Sequence, residues 1–247
     1  MIGRGLTFIV LIFVIFGAVM VAQHSGHVDA KEGRSGLFAS AIDRTWRAGQ
    51  CDKGFCWICK TQVDLDQVTI NVDTNDVRED AVKFAPGCTG TIRSLTITTR
   101  SGDGLKIAEG AHDLTIPSGS IRCLDKTDVV HQDGLQAMGG SNITFGDSFS
   151  DPFKIDCGRT GDNLIDANWR VAKAGNSTTS PDQIVCDNCY LGGNTAHTVT
   201  LQESTNSVVK NSTICPGKFP KLTYTVGPDA VNPVGPDGVG NIFPEAC

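Results

Sequence analysis

Three segments with one pattern decide the fold of this chain: Asp80-Ala81-Val82-Lys83-Phe84, Asp103-Gly104-Leu105-Lys106-Ile107 and Asp133-Gly134-Leu135-Gln136-Ala137. Each contains an Asp, a small residue, an apolar residue, a Lys or Gln and a second apolar residue, and a Gly follows closely. The first and second Asp are 23 positions apart, and the second and third are 30 apart. A repeat of this length, with strand-like alternation and Gly-rich turns, is typical of a solenoid of stacked coils.

Short alternating segments continue on both sides of these repeats, at residues 68–72, 92–99 and 142–145 among others. They are rich in β-branched residues and are cut by turn formers, as strands are. No helical periodicity extends over ten residues between 63 and 225, which argues against an α/β sheet. A sandwich or barrel would not require the same segment to recur, whereas stacked coils place like positions about 4.8 Å apart. We therefore predict an all-β, single-domain, right-handed parallel β-helix over residues 63–215.

Both ends of such a solenoid expose apolar core and need a cover. At the N-terminal side, we expect a cap over residues 31–62 that contains a short amphipathic helix at 36–48. Ser35 can serve as the N-cap of this helix, and its apolar residues recur every fourth position: Phe38, Ile42 and Trp46. At the other side, the tail at 216–247 is rich in Pro and Gly, which cannot donate regularly to a ladder. We expect this tail to wrap the last coil.

The first 30 residues have the composition of an export signal. Residues 6–22 are almost all apolar and follow Arg4, like the h-region and n-region of a signal peptide. The run is 17 residues long, at the short end of what spans a bilayer. With cleavage near Ala22 or Ala30, we expect a secreted protein without stable membrane insertion.

All ten cysteines follow this segment, and their number is even. With an export signal, this favours disulfides formed in an oxidising compartment. Two Cys-x-x-Cys pairs, at 56–59 and 186–189, could instead provide a four-thiolate zinc site. They are about 127 residues apart, far more than the spacing of a zinc ribbon, so we predict disulfides.

Charge and aromatic content exclude one class of partner. The formal net charge is −6, neither sign forms a long run, and aromatic residues are 6% of the chain. A nucleic-acid-binding protein needs a basic patch or stripe, and the sequence contains none. We expect a monomer that has no nucleic-acid partner.

Strand alternation predicts two stacked sets of polar residues beside the repeats. With the apolar residues facing inward, Lys83, Lys106 and Gln136 form one outward row, while Asp80 and its two counterparts form a column where the turn enters the strand. An Asp-Gly pair is also a turn former, so these Asp residues can simply hold turns. Carboxylates about 5 Å apart repel by roughly 3 kcal/mol at an effective dielectric near 20. The column therefore needs a bound cation, a shared proton or neighbouring Lys and Arg residues.

Over roughly residues 63–215 the chain resembles the pectate lyase superfamily of right-handed β-helices. The segment 130–136, Val-His-Gln-Asp-Gly-Leu-Gln, is similar to the Asn-Thr-Asp-Gly segment of polygalacturonase-type hydrolases, with Asp133-Gly134 matching and His131-Gln132 in place of Asn-Thr. Their further paired Asp residues, Gly-His-Gly and Arg-x-Lys motifs do not follow Asp133. The resemblance implies an exported polysaccharide lyase that acts on an acidic polysaccharide such as pectate, with calcium on acidic residues and an Arg or Lys as base.

The rows and the resemblance together define the candidate site. The catalytic candidates are Asp133, His131, Asp103, Lys106 and Arg122. The substrate-binding candidates are Lys83, Gln136 and Arg100, and a calcium ion would be held by Asp80, Asp103 and Asp133. Two alternatives stay open: a non-catalytic glycan-binding or surface structural β-helix, and a polygalacturonase-like glycoside hydrolase. In each case except the structural one, the expected partner is a polysaccharide.

Overall fold

A computed structural model describes residues 41–47, 50–51, 54–73, 80–100, 102–124, 132–157, 165–192, 195–217, 219, 223–227, 229–231 and 239–247. All of them belong to one compact unit, Gly33–Cys247. The predicted signal segment and residues 36–40 and 48 of the predicted capping helix lie outside the described residues.

Strands make up the regular structure of the described chain. In chain order they are β1 (Ala41–Arg47), β2 (Phe55–Cys59), β3 (Gln62–Leu65), β4 (Gln67–Asp73), β5 (Asp80–Phe84), β6 (Thr89–Ile92), β7 (Ser94–Thr99), β8 (Leu105–Ile107), β9 (His112–Ile116), β10 (Ser118–Cys123), β11 (Leu135–Ala137), β12 (Ser141–Phe145), β13 (Phe153–Asp156), β14 (Ile165–Ala172), β15 (Asp182–Asp187), β16 (Cys189–Gly192), β17 (Thr195–Gln202), β18 (Val208–Lys210), β19 (Thr213–Ile214) and β20 (Tyr224–Val226).

Every third strand joins the same sheet. Sheet A has the order β1-β4-β7-β10-β13-β16-β19, sheet B the order β2-β5-β8-β11-β14-β17-β20, and sheet C the order β3-β6-β9-β12-β15-β18. Neighbouring strands in each sheet are parallel. The predicted all-β parallel β-helix is confirmed.

The core lies inside the three sheets and follows from strand alternation. In sheet A, for example, the inward position is occupied by an aliphatic residue in successive coils, all of them buried: Ile70, Ile97, Ile121, Ile155 and Leu191. Burial of each such side chain contributes about 1.5–3 kcal/mol. Phe145 packs edge-on against Phe153 and Trp169, with ring centroids 5.3 and 5.5 Å apart. Every coil therefore adds a layer to one continuous core.

Residues 41–47 form β1, where the sequence predicted the second half of the capping helix. This strand pairs with β4 in parallel, with Ile42 beside Val68 and Trp46 beside Val72. The spacing of four between Ile42 and Trp46 suits a helix face, but it also places two residues on one side of a strand. The sheets thus begin before residue 63. Within the described part of the chain, no helix is long and apolar enough to cross a membrane.

All ten cysteines are paired in five disulfides, which confirms the disulfide prediction and rules against a four-thiolate zinc site. The pairs are Cys51–Cys56, Cys59–Cys88, Cys123–Cys157, Cys186–Cys189 and Cys215–Cys247. The last pair ties the tail to the final coil, where Val231 and Ile242 also bridge to Thr205 and Thr213. Five disulfides fit a protein that folds in an oxidising compartment.

Candidate functional site

The three repeated Asp residues form the predicted column, called here the acid column: Asp80, Asp103 and Asp133. They occupy equivalent positions where successive coils enter sheet B. Each Oδ1 accepts a hydrogen bond from the backbone N–H of the next coil. Asp103 donates to Asp80 at 2.7 Å, Asp133 to Asp103 at 2.7 Å, and Ala167 to Asp133 at 2.9 Å. The acid column is therefore a ladder of side-chain-to-backbone bonds that holds one coil on the next.

The Gly that follows Asp in two of the repeats has a related role. A Cβ at Gly104 would lie 2.6 Å from the carbonyl oxygen of Gly134, and a Cβ at Gly134 would lie 2.7 Å from that of Asn168. Adjacent coils are too close at this corner for any larger residue without a shift of the backbone. The Asp-Gly repeat is thus explained by packing of the coils, in line with the turn-holding alternative.

Lys106 is the counter-ion of Asp80 and Asp103, the first two residues of the acid column. Its Nζ lies 2.8 Å from Oδ2 of Asp80 and 3.0 Å from Oδ2 of Asp103. Burial and the charge of Asp103 raise the pKa of Asp80, although Lys106 opposes the shift. Burial works against the charged form of Lys106, but the carboxylates of Asp103 and Asp80 outweigh it and raise the pKa of Lys106. The ammonium group therefore stays protonated at neutral pH.

Arg170 is the cation next to Asp133, the last residue of the acid column. Its Nη1 lies 3.9 Å from Oδ2 of Asp133, whose side chain is fully buried. The acid column thus has three carboxylates and two nearby cations, Lys106 and Arg170.

A row of hydrogen-bond donors runs along the outward side of sheet B, called here the sheet B face. Backbone pairing aligns five residues of successive strands, which we call the donor row: Lys83, Lys106, Gln136, Arg170 and Thr200. Lys83 Nζ also lies 4.5 Å from the centre of the Phe55 ring. The structure brings together the three row residues that the sequence predicted.

Arg170 and Thr200 were missed because their coils lack the Asp-Gly pair by which the repeat was recognised. The remaining signal is an apolar-polar-apolar triplet: Trp169-Arg170-Val171 in β14 and Val199-Thr200-Leu201 in β17. Such triplets are common in any β protein, so only the strand register identifies these two as members of the row.

A loop bounds the sheet B face on the side opposite the acid column. Residues 173–181 connect β14 to β15 and fold back over the corners that follow β8 and β11. Glu109 accepts bonds from Thr178 N at 3.2 Å and Thr179 Oγ1 at 3.2 Å, and also from Thr178 Oγ1. Ser177 Oγ donates to the carbonyl of Met138 at 3.1 Å. The bonds from Thr178 and Thr179 lower the pKa of Glu109.

Next to Arg170 the sheet B face contains a cavity of about 110 Å³, called here the Arg170 cavity. It is lined by Ala167, Arg170, His197, Thr200 and Gln202. None of the five lining residues is acidic. His197 contributes an imidazole ring whose Nδ1 lies 3.4 Å from Thr225 Oγ1.

Two of the predicted site residues are not brought to this face. Arg100 lies at the end of β7, with its Nε 3.4 Å from Oδ1 of Asp73. Arg122 belongs to β10 and is exposed on sheet A, a different sheet from that of Lys106. His131 lies outside the described residues, so its predicted role stays a prediction.

In the described residues, the carboxylate oxygens of the acid column already have other contacts, and calcium binding by these three Asp residues stays a prediction. Calcium takes six to eight oxygen ligands. Here one oxygen of each carboxylate accepts a backbone N–H, and Lys106 contacts the other oxygen of Asp80 and of Asp103. Among the described residues, no group of three or more His, Cys, Asp or Glu side chains could hold a metal.

Comparison of the chain with protein-family models, with curated proteins and with solved structures gives no match. The fold and the site define the class on their own: a disulfide-linked parallel β-helix with a donor row on one sheet. Membership in the pectate lyase superfamily stays a prediction from the sequence.

Proposed function

We propose that this protein works outside the cell and binds acidic polysaccharide along the sheet B face. The observation that carries the proposal is the donor row, in which ammonium, amide, guanidinium and hydroxyl groups follow one another in register. With strands about 4.8 Å apart, the five positions extend over about 19 Å. This is an extended linear surface, which suits a polymer better than a compact ligand.

The charge arrangement favours an acidic glycan. The carboxylates of Asp103 and Asp133 are buried and bonded to the backbone, whereas the donor row lies in front of them on the outward side. Because Lys106 is bonded to Asp80 and Asp103, the charged donors that a ligand would contact along this face are Lys83 and Arg170. Carboxylates on a sugar chain are the complementary acceptors, and Lys and Arg form charge-assisted hydrogen bonds with them.

The same geometry supports binding better than cleavage by the predicted catalytic residues. A general acid or base must reach the reacting atoms with the right protonation state. Asp133 is fully buried, Asp103 is nearly so, and Lys106 is kept protonated by two carboxylates. We therefore favour the non-catalytic alternative, and lyase or hydrolase activity becomes an outcome of the test.

The test compares the binding of polygalacturonate and of an uncharged polysaccharide to the purified protein. We expect binding of the acidic polymer that weakens with added salt, and a loss of about threefold to fivefold on Lys83→Ala, the range for one partly exposed charge. The matched control is Lys154→Ala, which removes an exposed lysine from sheet A. Equal binding of both polymers, or equal loss in both variants, would contradict the proposal. Release of unsaturated sugars would assign a lyase, and release of reducing ends without them a hydrolase.

A further inference from the structure

We propose that the Arg170 cavity is a specific subsite for one oxyanion of a sugar, either a uronic carboxylate or a sulfate ester. The inference deepens the proposed function and rests on it for the ligand class. It does not follow from the donor row alone, because the cavity includes residues outside that row, namely His197 and Gln202.

The cavity exists because the acid column stops. Backbone register places Ala167 in the position that follows Asp133, and His197 in the position after Ala167. Ala167 still donates its N–H to Asp133, so the ladder of coils continues there. Its side chain, however, is only a methyl group. The space that a further carboxylate would fill is therefore open beside Arg170.

The lining of the cavity is suited to an anion. Arg170 is a permanent cation with a planar set of donors, and its side chain is 28% exposed. Thr200 adds a hydroxyl, Gln202 an amide and His197 a ring nitrogen. Asp133 faces Arg170 from the preceding coil, but none of the described residues that line the cavity is acidic.

The size of the cavity limits what can enter. Its volume of about 110 Å³ compares with about 30 Å³ for one water molecule in the liquid. A carboxylate or sulfate group fits with a few water molecules, whereas a whole oligosaccharide does not. The cavity therefore takes one charged substituent, while the rest of the chain lies on the donor row.

The direct test titrates the folded protein with small sugars, followed by NMR or calorimetry. The probes are galacturonate, galactose and galactose 6-sulfate. We expect both charged sugars to bind and the neutral sugar to bind at least tenfold more weakly. Stronger binding of galacturonate identifies the carboxylate as the natural group, and stronger binding of the sulfate ester identifies the sulfate.

Two variants in the cavity test the subsite, and the second of them keeps the test independent of stability. Arg170→Gln should lose about 30-fold in affinity for the charged sugar, but it also removes the cation next to Asp133 and can impair folding. Thr200→Val keeps the shape of the side chain and removes one donor, with an expected loss of about fivefold. Thr96→Val makes the same change on the outward side of sheet A and should leave binding unchanged.

A gain of volume at Ala167 gives a third variant. Ala167→Asp would place a carboxylate in the cavity, next to Arg170, and should abolish binding of the charged sugars. Comparison with Ala167→Asn separates the effect of charge from that of volume, because both side chains have nearly the same size. Equal binding by the wild type and by Ala167→Asp would overturn the proposal.

The outcomes separate this inference from the proposed function. If the polymer binds and Lys83→Ala weakens it, but neither Thr200→Val nor Ala167→Asp affects any ligand, the subsite is overturned and the proposed function stands. If charged monosaccharides bind in the cavity but no polymer binds, the subsite stands and the proposed function fails. Equal binding of galactose and galacturonate would overturn the subsite.

Discussion

Replacement of Asp103 tests whether the acid column holds the coils together. Its carboxylate is almost fully buried, accepts the N–H of Asp133 and pairs with Lys106. Asp103→Ala removes both contacts and leaves a buried backbone N–H without its acceptor. A hydrogen bond to a charged group contributes about 1.5–3 kcal/mol, and an unsatisfied buried group costs about 1–3 kcal/mol.

Part of this loss is offset, because Asp103→Ala also relieves the repulsion that raises the pKa of Asp80. We therefore expect a net decrease of about 2–3 kcal/mol in the free energy of unfolding. For a domain of this size that corresponds to a fall in Tm of roughly 4–12 °C. The assay is urea or thermal unfolding with the disulfides intact.

Asp103→Asn is the matched variant, because it keeps an oxygen that can accept the N–H of Asp133 and removes only the charge. Lys106 still pairs with Asp80. We expect a loss of about 1 kcal/mol or less. A decrease below about 0.5 kcal/mol for Asp103→Ala, or the same large decrease for both variants, would refute the view that the hydrogen-bond ladder is the main contribution.

Three further predictions concern pH and calcium. The pKa of Glu109 in the folded protein lies below its ordinary value of 4.5. The ionised carboxylate therefore stabilises the loop above pH 4.5, and this stabilisation is lost as the pH falls through the lower pKa of the folded state. The amide protection factors in the loop at 173–181, which correct for the slower intrinsic exchange at low pH, should then decrease, and Glu109→Gln should remove this pH dependence. The pKa of Asp80 in the folded protein lies above its ordinary value of 3.8, so the wild type loses stability as the pH rises from 3.8 through the pKa of the folded state. Asp80→Asn does not ionise, so its stability relative to the wild type should increase over that pH range. Calcium or a chelator should leave Tm unchanged, and a calcium-dependent rise in Tm that Asp80→Asn abolishes would contradict this.

The sequence was sufficient to predict the coils and the part of the site that repeats with them. The pattern around Asp80, Asp103 and Asp133 determined both the acid column and three members of the donor row, because stacking in register follows from alternation. What it could not decide was the role of the acids. Whether a carboxylate faces solvent or the next coil depends on the close approach at Gly104 and Gly134, which only the packed coils show.

The other differences have similar causes. Arg122 and Lys106 both lie on outward strand positions, but nothing in a linear pattern tells which of three sheets a strand joins when loop lengths vary between coils. The sequence also could not predict that the acid column ends at Ala167, because only the register of β11 with β14 aligns Ala167 with Asp133. Residues 41–47 form a strand where the sequence predicts part of a helix, since a spacing of four fits both.

The most direct test of the proposed function is to map where an acidic oligosaccharide contacts the protein, by backbone chemical-shift changes during titration. We predict that the shifts concentrate on β5, β8, β11, β14 and β17 of sheet B and on the loop at 173–181, and that an uncharged oligosaccharide causes little change. Shifts concentrated on sheet A, or equal shifts with the uncharged sugar, would contradict the account.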